Sequence, residues 1–416
     1  MRNIILVVVI SYAALSEISA QTTLPEYRSA VVDYSTELQQ SKFAAEGAEA
    51  DMQLARKGYL PRLDMSREGR QAFGGVDVGR SWSWAMRADI SQPLFEGGGV
   101  RARAKGSVAR FMIAENRVDK ATLDAIYVAD VAYWKLSQMA VYVQAMEEYV
   151  AIVGSLRDVV KRRLEEGYTA KGDLLQVESR LSDAEYQLVS AQQSYMIALH
   201  EFNSLRGADV KEDVVLAQSI FTVADMPKRV EVDLILARHP DYVVSRLAED
   251  AARWDVRAVS ANYLPQISAG IYGVWQSAIP NIKGAGTSLN GGIVITMTTP
   301  IFHFGERRQA LASARAALNS SSVVSQQVRD RVLLDESNGW VNLVNSQRRV
   351  ASAERSLDIA NENLQMSTYS YREGVATLLD LLQAQLSWLQ IYRNVIAAYY
   401  DYAVAVAGYA YVTAQM

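Results

Sequence analysis

The sequence predicts a mixed α and β membrane protein with an internal duplication: two β-hairpins and two long helical hairpins per protomer. Three observations predict it. The stretch from Tyr371 through Gly374 and Asp380 to Gln385 has an earlier copy, in which Gly167 and Asp173 stand at the same spacing 207 residues upstream. Tyr59-Leu60-Pro61 returns as Tyr263-Leu264-Pro265, and Pro93-Leu94-Phe95 returns as Pro300-Ile301-Phe302, in the same order along the chain. Between these markers the hydrophobic period drops from about 3.6 to 2, which sets a pair of strands among helices. The offset is 204 for the first pair of markers and 207 for the second, so the length difference falls inside the hairpin, at its variable turn.

Composition narrows the function classes. The 416 residues carry a net charge of −4, so no basic stripe is available to neutralise phosphates and no nucleic-acid partner is expected. The absence of cysteine excludes a disulfide framework, thiol catalysis and a Cys-anchored lipid. Only 8 prolines interrupt the chain, which suits long helices. Arg2, the apolar run Ile4 to Ile10 and Ile18-Ser19-Ala20 read as a secretory leader over 1–20, cut before Gln21. Its apolar core is too short to span a bilayer. Val395 to Ala414 is apolar except for Asp401, but its small residues alternate with tyrosines; it reads as a helix packed among other helices.

The first repeat, 21–207, opens with helical spacing over Leu24 to Arg56, as one helix or two short ones, stopped by Pro61. A hairpin follows over about 61–93. Trp82, Trp84, Met86, Ala88 and Ile90 share one face of its second strand; Ser81, Ser83, Arg87, Asp89 and Ser91 share the other. Gly74-Gly75 and Asp77 mark the turn. Gly97-Gly98-Gly99 then leads into a helix over about 98–166, and a return helix covers about 170–206. The triple Gly lacks the Lys-Ser/Thr of a phosphate loop and reads as a strand-to-helix turn. Residues 208–227 are mixed and non-periodic and link the halves. The second repeat, 228–416, has a hairpin over about 265–300 and helices over about 305–372 and 377–414. Ile267, Ala269, Ile271, Gly273 and Trp275 share a face, as do Leu289, Ile293, Ile295 and Met297, with an exposed loop from Ser277 to Thr287. Each longest helix runs about 66 residues, or roughly 100 Å at 1.5 Å per residue, and calls for coiled-coil packing.

Two readings of the hairpins stand side by side: a soluble sandwich, or strands with one side in lipid. Runs of about ten residues match a tilted membrane strand. In lipid an unpaired strand edge costs several kcal/mol per group, so strands must close into a barrel. Four strands are too few, and a water-filled channel needs more than eight. Three copies supply twelve.

The two Leu-Pro strand starts, the two Pro-x-Phe strand ends, Arg238-His239-Pro240-Asp241 and the two Gly-x5-Asp tips, in this order and spacing, resemble the TolC-like outer membrane efflux and secretion channels of Gram-negative bacteria. The resemblance covers nearly all of the chain after the leader. It implies a homotrimer with a 12-stranded outer-membrane β-barrel continued by a 12-helix periplasmic α-barrel. It further implies a passive duct whose closed periplasmic end opens when a periplasmic adaptor (membrane fusion) protein and an inner-membrane pump of RND or ABC type dock. The alternative is a non-channel periplasmic coiled-coil scaffold, which accounts for the helices and leaves the two amphipathic hairpins unexplained.

The same resemblance points to site residues. At the second tip, Asp380 matches an aspartate that rings the closed entrance and favours cations; as a first-turn residue it also suits helix capping. A second such aspartate is absent, because Gln383 stands there. Tyr371 matches a tyrosine that latches the closed state, with Asp173 in the first tip as its acidic partner. The latch arginine of the family falls on Ala376, leaving Arg372 as a candidate substitute. Gly167 and Gly374 are the tip glycines, and Leu174, Leu175, Leu378 and Leu379 are candidates for adaptor docking. Trp82, Trp84 and Trp275 are candidates for the lipid-facing side of the barrel. His200, His239 and His303 are scattered without metal-ligand spacing, and no catalytic constellation stands out; no cofactor, metal or enzymatic activity is expected.

Overall fold

The structure, a computed structural model, describes residues 21–72, 81–222, 225–279 and 287–415. The expected leader, the turn at Gly74-Gly75 and Asp77, and the centre of the second hairpin's loop lie outside the described residues. The chain opens with α1 (Leu24–Tyr34) and α2 (Thr36–Lys57), so the first helical run is two helices. The break sits at Ser35, whose hydroxyl accepts from the Leu38 amide and caps α2. Strands β1 (Arg62–Ala72) and β2 (Ser81–Glu96) lead into α3 (Gly99–Glu165) and α4 (Lys171–Leu205). After a linker come α5 (Val232–Arg238) and α6 (Pro240–Ala261), then β3 (Gln266–Ile279), β4 (Thr287–Thr298), α7 (Glu306–Arg372) and α8 (Leu378–Val412). The two copies agree to the residue in their long elements: α3 and α7 have 67 residues each, α4 and α8 have 35 each.

The four strands form one antiparallel sheet in the order β1-β2-β3-β4. Ser277 to Ile279, expected in the loop, extend β3 instead, since they pair with β2. The register aligns apolar residues across all four strands: Leu63 opposite Ile90, Met86 opposite Trp275, Ile271 opposite Ile293 and Ile267 opposite Met297. Asp64, Arg87, Asp89, Tyr272 and Thr296 fall on the other face. There Arg87 bonds Asp89 at 2.7 Å and lies 5.0 Å over the Tyr272 ring. On the apolar face Trp84 and Trp275 meet edge to face at 5.0 Å, while Leu289 and Ile293 stand exposed. Trp82 sits in β2 opposite Ile279. The sheet therefore has one apolar face, one polar face and two unpaired edges, β1 and β4. Pro93, which cannot donate to a ladder, sits at the bulge where the β2–β3 register shifts.

Below the sheet the helices pair as two long hairpins, α3 with α4 and α7 with α8, and α8 also packs on α3. Alone among the described residues α8 is a helix long and apolar enough to cross a membrane, yet Val395, Ile396, Tyr402, Ala403 and Tyr409 are buried in this helical packing. Near mid-length an aromatic cluster pins α1 to the first hairpin: Tyr27 stacks on Phe202 at 3.8 Å and donates its hydroxyl to the Phe202 carbonyl. Two forked ion pairs clamp the segments that cross here. Arg28 of α1 grips Asp130 of α3 at 2.5 and 2.6 Å, and Arg229, just before α5, grips Glu336 of α7 at 3.0 and 2.9 Å. Asp130 and Glu336 are each 1% exposed. Burial raises the Asp130 carboxyl from its usual range against the pull of Arg28. At Glu336 the Arg229 hydrogen bonds win and the carboxyl is lowered, with Tyr409 also donating to it.

Removing Arg229 leaves Glu336 buried without its guanidinium, so Arg229→Ala is expected to lower the thermal midpoint in detergent. Because the folded Glu336 carboxyl lies below its unfolded value of about 4.3, the clamp stabilises fully above that pH and fades as pH falls through the folded value. That acid-dependent loss should be missing in Arg229→Ala.

Candidate functional site

Each helical hairpin ends in a tip built on one glycine. Gly167 and Gly374 hold φ of +80° and +76°, the left-handed backbone that closes a helix C-terminus and that a side chain would strain. Both lie at the far end of the long helices from the sheet.

The second tip restarts with a reciprocal cap. Asp380 Oδ2 accepts from the Thr377 amide at 3.0 Å and from Thr377 Oγ1 at 2.6 Å, while the Asp380 amide donates back to Thr377 Oγ1 at 3.2 Å. These bonds, the hydroxyl first, lower the Asp380 carboxyl from its usual value, so it is a fixed, exposed negative charge. The first tip solves the same problem differently. Ala170 stands where Thr377 does, and Thr169, one residue earlier, donates its hydroxyl to Asp173 instead.

Tyr371 is 6% exposed and seats in the core where α3, α7 and α8 meet. Burial pushes its phenol up from the usual value; Arg163 opposes the shift, and the charge of Asp173 adds to it. The fold thus brings Tyr371 and Asp173, from opposite tips, into electrostatic reach. Arg372 contributes its backbone only: its side chain is exposed, and its carbonyl accepts from Arg163 at 2.8 Å. Arg163 also donates to the Tyr371 carbonyl at 3.3 Å and lies 4.8 Å over the Tyr371 ring. A cation placed on the last carbonyls of α7 satisfies groups that a helix end leaves open and opposes its dipole. Arg163 is the residue that sequence reasoning missed. The signal was weak, a basic residue in the last turn of α3, and its partner is more than 200 residues away.

The four tip leucines divide. Leu378 is buried and Leu174 half-buried in the hairpin core, whereas Leu175 and Leu379 are exposed. Leu379, Leu382 and Leu386 of α8 form one wall of a groove of about 550 Å³; Gln176, Ser179, Arg180 and Asp183 of α4 form the other. Gln383 lines the same groove. Among the described residues no group of three His, Asp or Glu is arranged to hold a metal ion.

Comparison with known proteins places this geometry. The sequence profile described as "Outer membrane efflux protein" matches residues 29–208 and 232–409. The alkaline protease secretion protein AprF of Pseudomonas aeruginosa is 24% identical over 391 residues, which cover 85% of this chain and 76% of AprF. The outer membrane efflux protein BepC of Brucella suis is 22% identical over 407 residues, 97% of this chain and 86% of BepC. The transmembrane channel CusC superposes with a TM-score of 0.85 at 15% identity, over 95% of this chain and 92% of CusC, and so shares the fold. The chain belongs to the outer membrane efflux protein family and is an exit duct of the outer membrane that extends into the periplasm.

Proposed function

We propose that three copies of the chain assemble into one duct, with twelve strands closing a barrel in outer-membrane lipid and twelve helices continuing it as a periplasmic tube. The observation that carries this reading is the sheet: an apolar face, a polar face and two open edges in one protomer. Edges of this kind find partners in hydrocarbon only by closure. Trp84 and Trp275 then lie toward lipid, and Arg87, Asp89 and Tyr272 toward the water-filled interior. The repeats 21–207 and 228–416, joined by 208–227, supply two of each protomer's four strands apiece. Transport is passive, with energy supplied by a pump of RND or ABC type reached through a periplasmic adaptor. The cargo class follows that pump; AprF is named for protease secretion and BepC for efflux.

The tips form the gate in this reading. Threefold repetition turns Asp380 into a ring of negative charge at the closed end. Arg163, Tyr371 and Asp173 hold the two tips of a protomer together, with Arg372 exposed toward a neighbour. The groove beside Leu379, together with Leu175 and the tip glycines, receives the adaptor, whose docking parts the hairpins.

Single-channel recording from purified protein in a planar bilayer tests the duct. A small cation-selective conductance is expected, and folded protein that never inserts would favour a periplasmic scaffold instead. Asp380→Asn should shift the reversal potential toward zero selectivity. In the unaltered protein selectivity should persist as pH falls to about 4 and vanish only below it, because the carboxyl is lowered. Arg163→Ala removes charge-assisted bonds worth about 1.5 kcal/mol, so the open fraction should rise about tenfold; Tyr371→Phe should raise it less. Leu379→Asp should leave conductance unchanged while abolishing co-purification of the cognate adaptor.

A further inference from the structure

Each protomer contains one finished seam at the root of the sheet and the two unfinished halves of another. In the finished seam the junction between β2 and α3 lies against the start of β3. Gly97, at φ +55°, approaches so closely that a Cβ there would fall 2.6 Å from Leu264 Cβ and 3.0 Å from the Ala261 carbonyl. Tyr263, Leu264 and Pro265 are half-buried as a result, and Gly99 and Val100 are buried.

The offsets of the duplication name the counterparts. Gly97 corresponds to Phe304 and Gly98 to Gly305; Tyr59 and Leu60 correspond to Tyr263 and Leu264. Phe304 keeps the left-handed backbone of Gly97, at φ +44°, although a bulky residue rarely adopts it. Its side chain is 92% exposed, and it meets the ring of Phe302, also exposed, edge to face at 4.8 Å. Tyr59 and Leu60 are exposed as well. These two half-seams sit beside the two open edges, Phe304 after β4 and Leu60 before β1.

A second copy brings them together. The β2–β3 register pairs Met86 with Trp275 and Ser91 with Gly270. Carried over by the two offsets, it sets Ile293 of β4 opposite Gln71 and Thr298 opposite Ser66 of the neighbouring copy's β1. The side-chain faces of the two protomers stay in phase under this pairing: Met297 falls opposite Arg67, which lies on the same face of β1 as Leu63 and Met65, and a one-residue slip would break that phase. The seam itself has to differ, because Phe304 carries a ring where Gly97 carries nothing.

We infer that the seam between protomers is an aromatic plug, in which Phe304 and Phe302 of one copy seat against Leu60 and Tyr59 of the next. It rests on the homotrimer reading above. The ring would thus contain two kinds of seam, tight glycine-backed ones inside protomers and wider, phenylalanine-filled ones between them. A stored left-handed conformation at Phe304 is sustained by what the ring gains in the assembly.

The chain has no cysteine, so paired substitutions give a clean test. Light scattering of the Phe304→Cys/Leu60→Cys protein in detergent first establishes its oligomeric state. Treatment with a short bismaleimide should then yield covalent dimers and trimers on denaturing gels, absent from either single variant. Phe304→Gly, which relieves the backbone, should leave the heat resistance of the separated protomer unchanged or raised and lower the temperature at which the trimer dissociates. A trimer that gives no crosslink would overturn the plug. So would quenching by brominated lipid of a bimane label on the Phe304→Cys variant, which would place the rings in the bilayer. A protein that stays monomeric would remove the trimer reading, and the plug with it.

Discussion

The helical half of the molecule depends on a spacing of seven residues. On α4 the buried row is Val177, Ala184, Ala191 and Ala198; on α8 it is Leu381, Trp388, Val395, Tyr402 and Tyr409, with Leu382, Leu389, Ile396 and Ala403 alongside. A straight helix of 3.6 residues per turn would let such a row drift around its surface. Keeping the row against a partner over about 50 Å, the length of a 35-residue helix, forces a left-handed supercoil. The alanines let α4 lie close against α3, and the large residues of α8 pack against α7 and α3. On α7 the row starts at Glu336 and runs through Leu343 and the half-buried Val350, Leu357 and Leu364 to Tyr371. The candidate latch is therefore the last step of the same packing ladder, and a change of supercoil anywhere along α7 is felt at Tyr371.

In the proposed gate, that placement would let the tip be both ordered and reversible. The bonds that join the two tips of a protomer are few: one guanidinium on two carbonyls and one ring, beside a buried phenol. Individually such contacts contribute on the order of 1–2 kcal/mol. A partner that binds the parted tips only a few kcal/mol better than the closed ones shifts the population from shut to open. The capping box at Thr377 and Asp380 lies within α8 and stays intact through such a motion, so the Asp380 charge travels with the helix that carries it.

Much of this was legible in the sequence, for reasons that differ by residue. Gly167 and Gly374 announce themselves because a helix end needs a left-handed residue, and the strand faces do so because period-2 alternation has one geometric meaning. The lengths of the long helices follow from the want of proline. The dual nature of Asp380 was visible too, since Thr377 precedes it by three residues. Arg163 was not legible: nothing local distinguishes it from Arg162, and only the packing of α3 beside α7 gives it a target. The exposed Leu379 and buried Leu378 could not be separated by pattern alone at a helix's first turn. Nor was the Arg28–Asp130 clamp readable, because its partners lie 102 residues apart.

The two mid-length clamps complete the mechanical argument. A buried carboxylate held by a single arginine adds little net stability, because desolvation offsets most of the attraction, but a shifted register would strand it. Asp130 and Glu336 therefore fix where α1 and the segment before α5 cross α3 and α7 more than how tightly they adhere. With the long helices registered at this level, and the sheet fixed by strand pairing above it, the proposed opening falls to the hairpin halves beyond the clamps. In the proposed gate, motion is thereby directed to the end that carries Arg163, Tyr371 and Asp380.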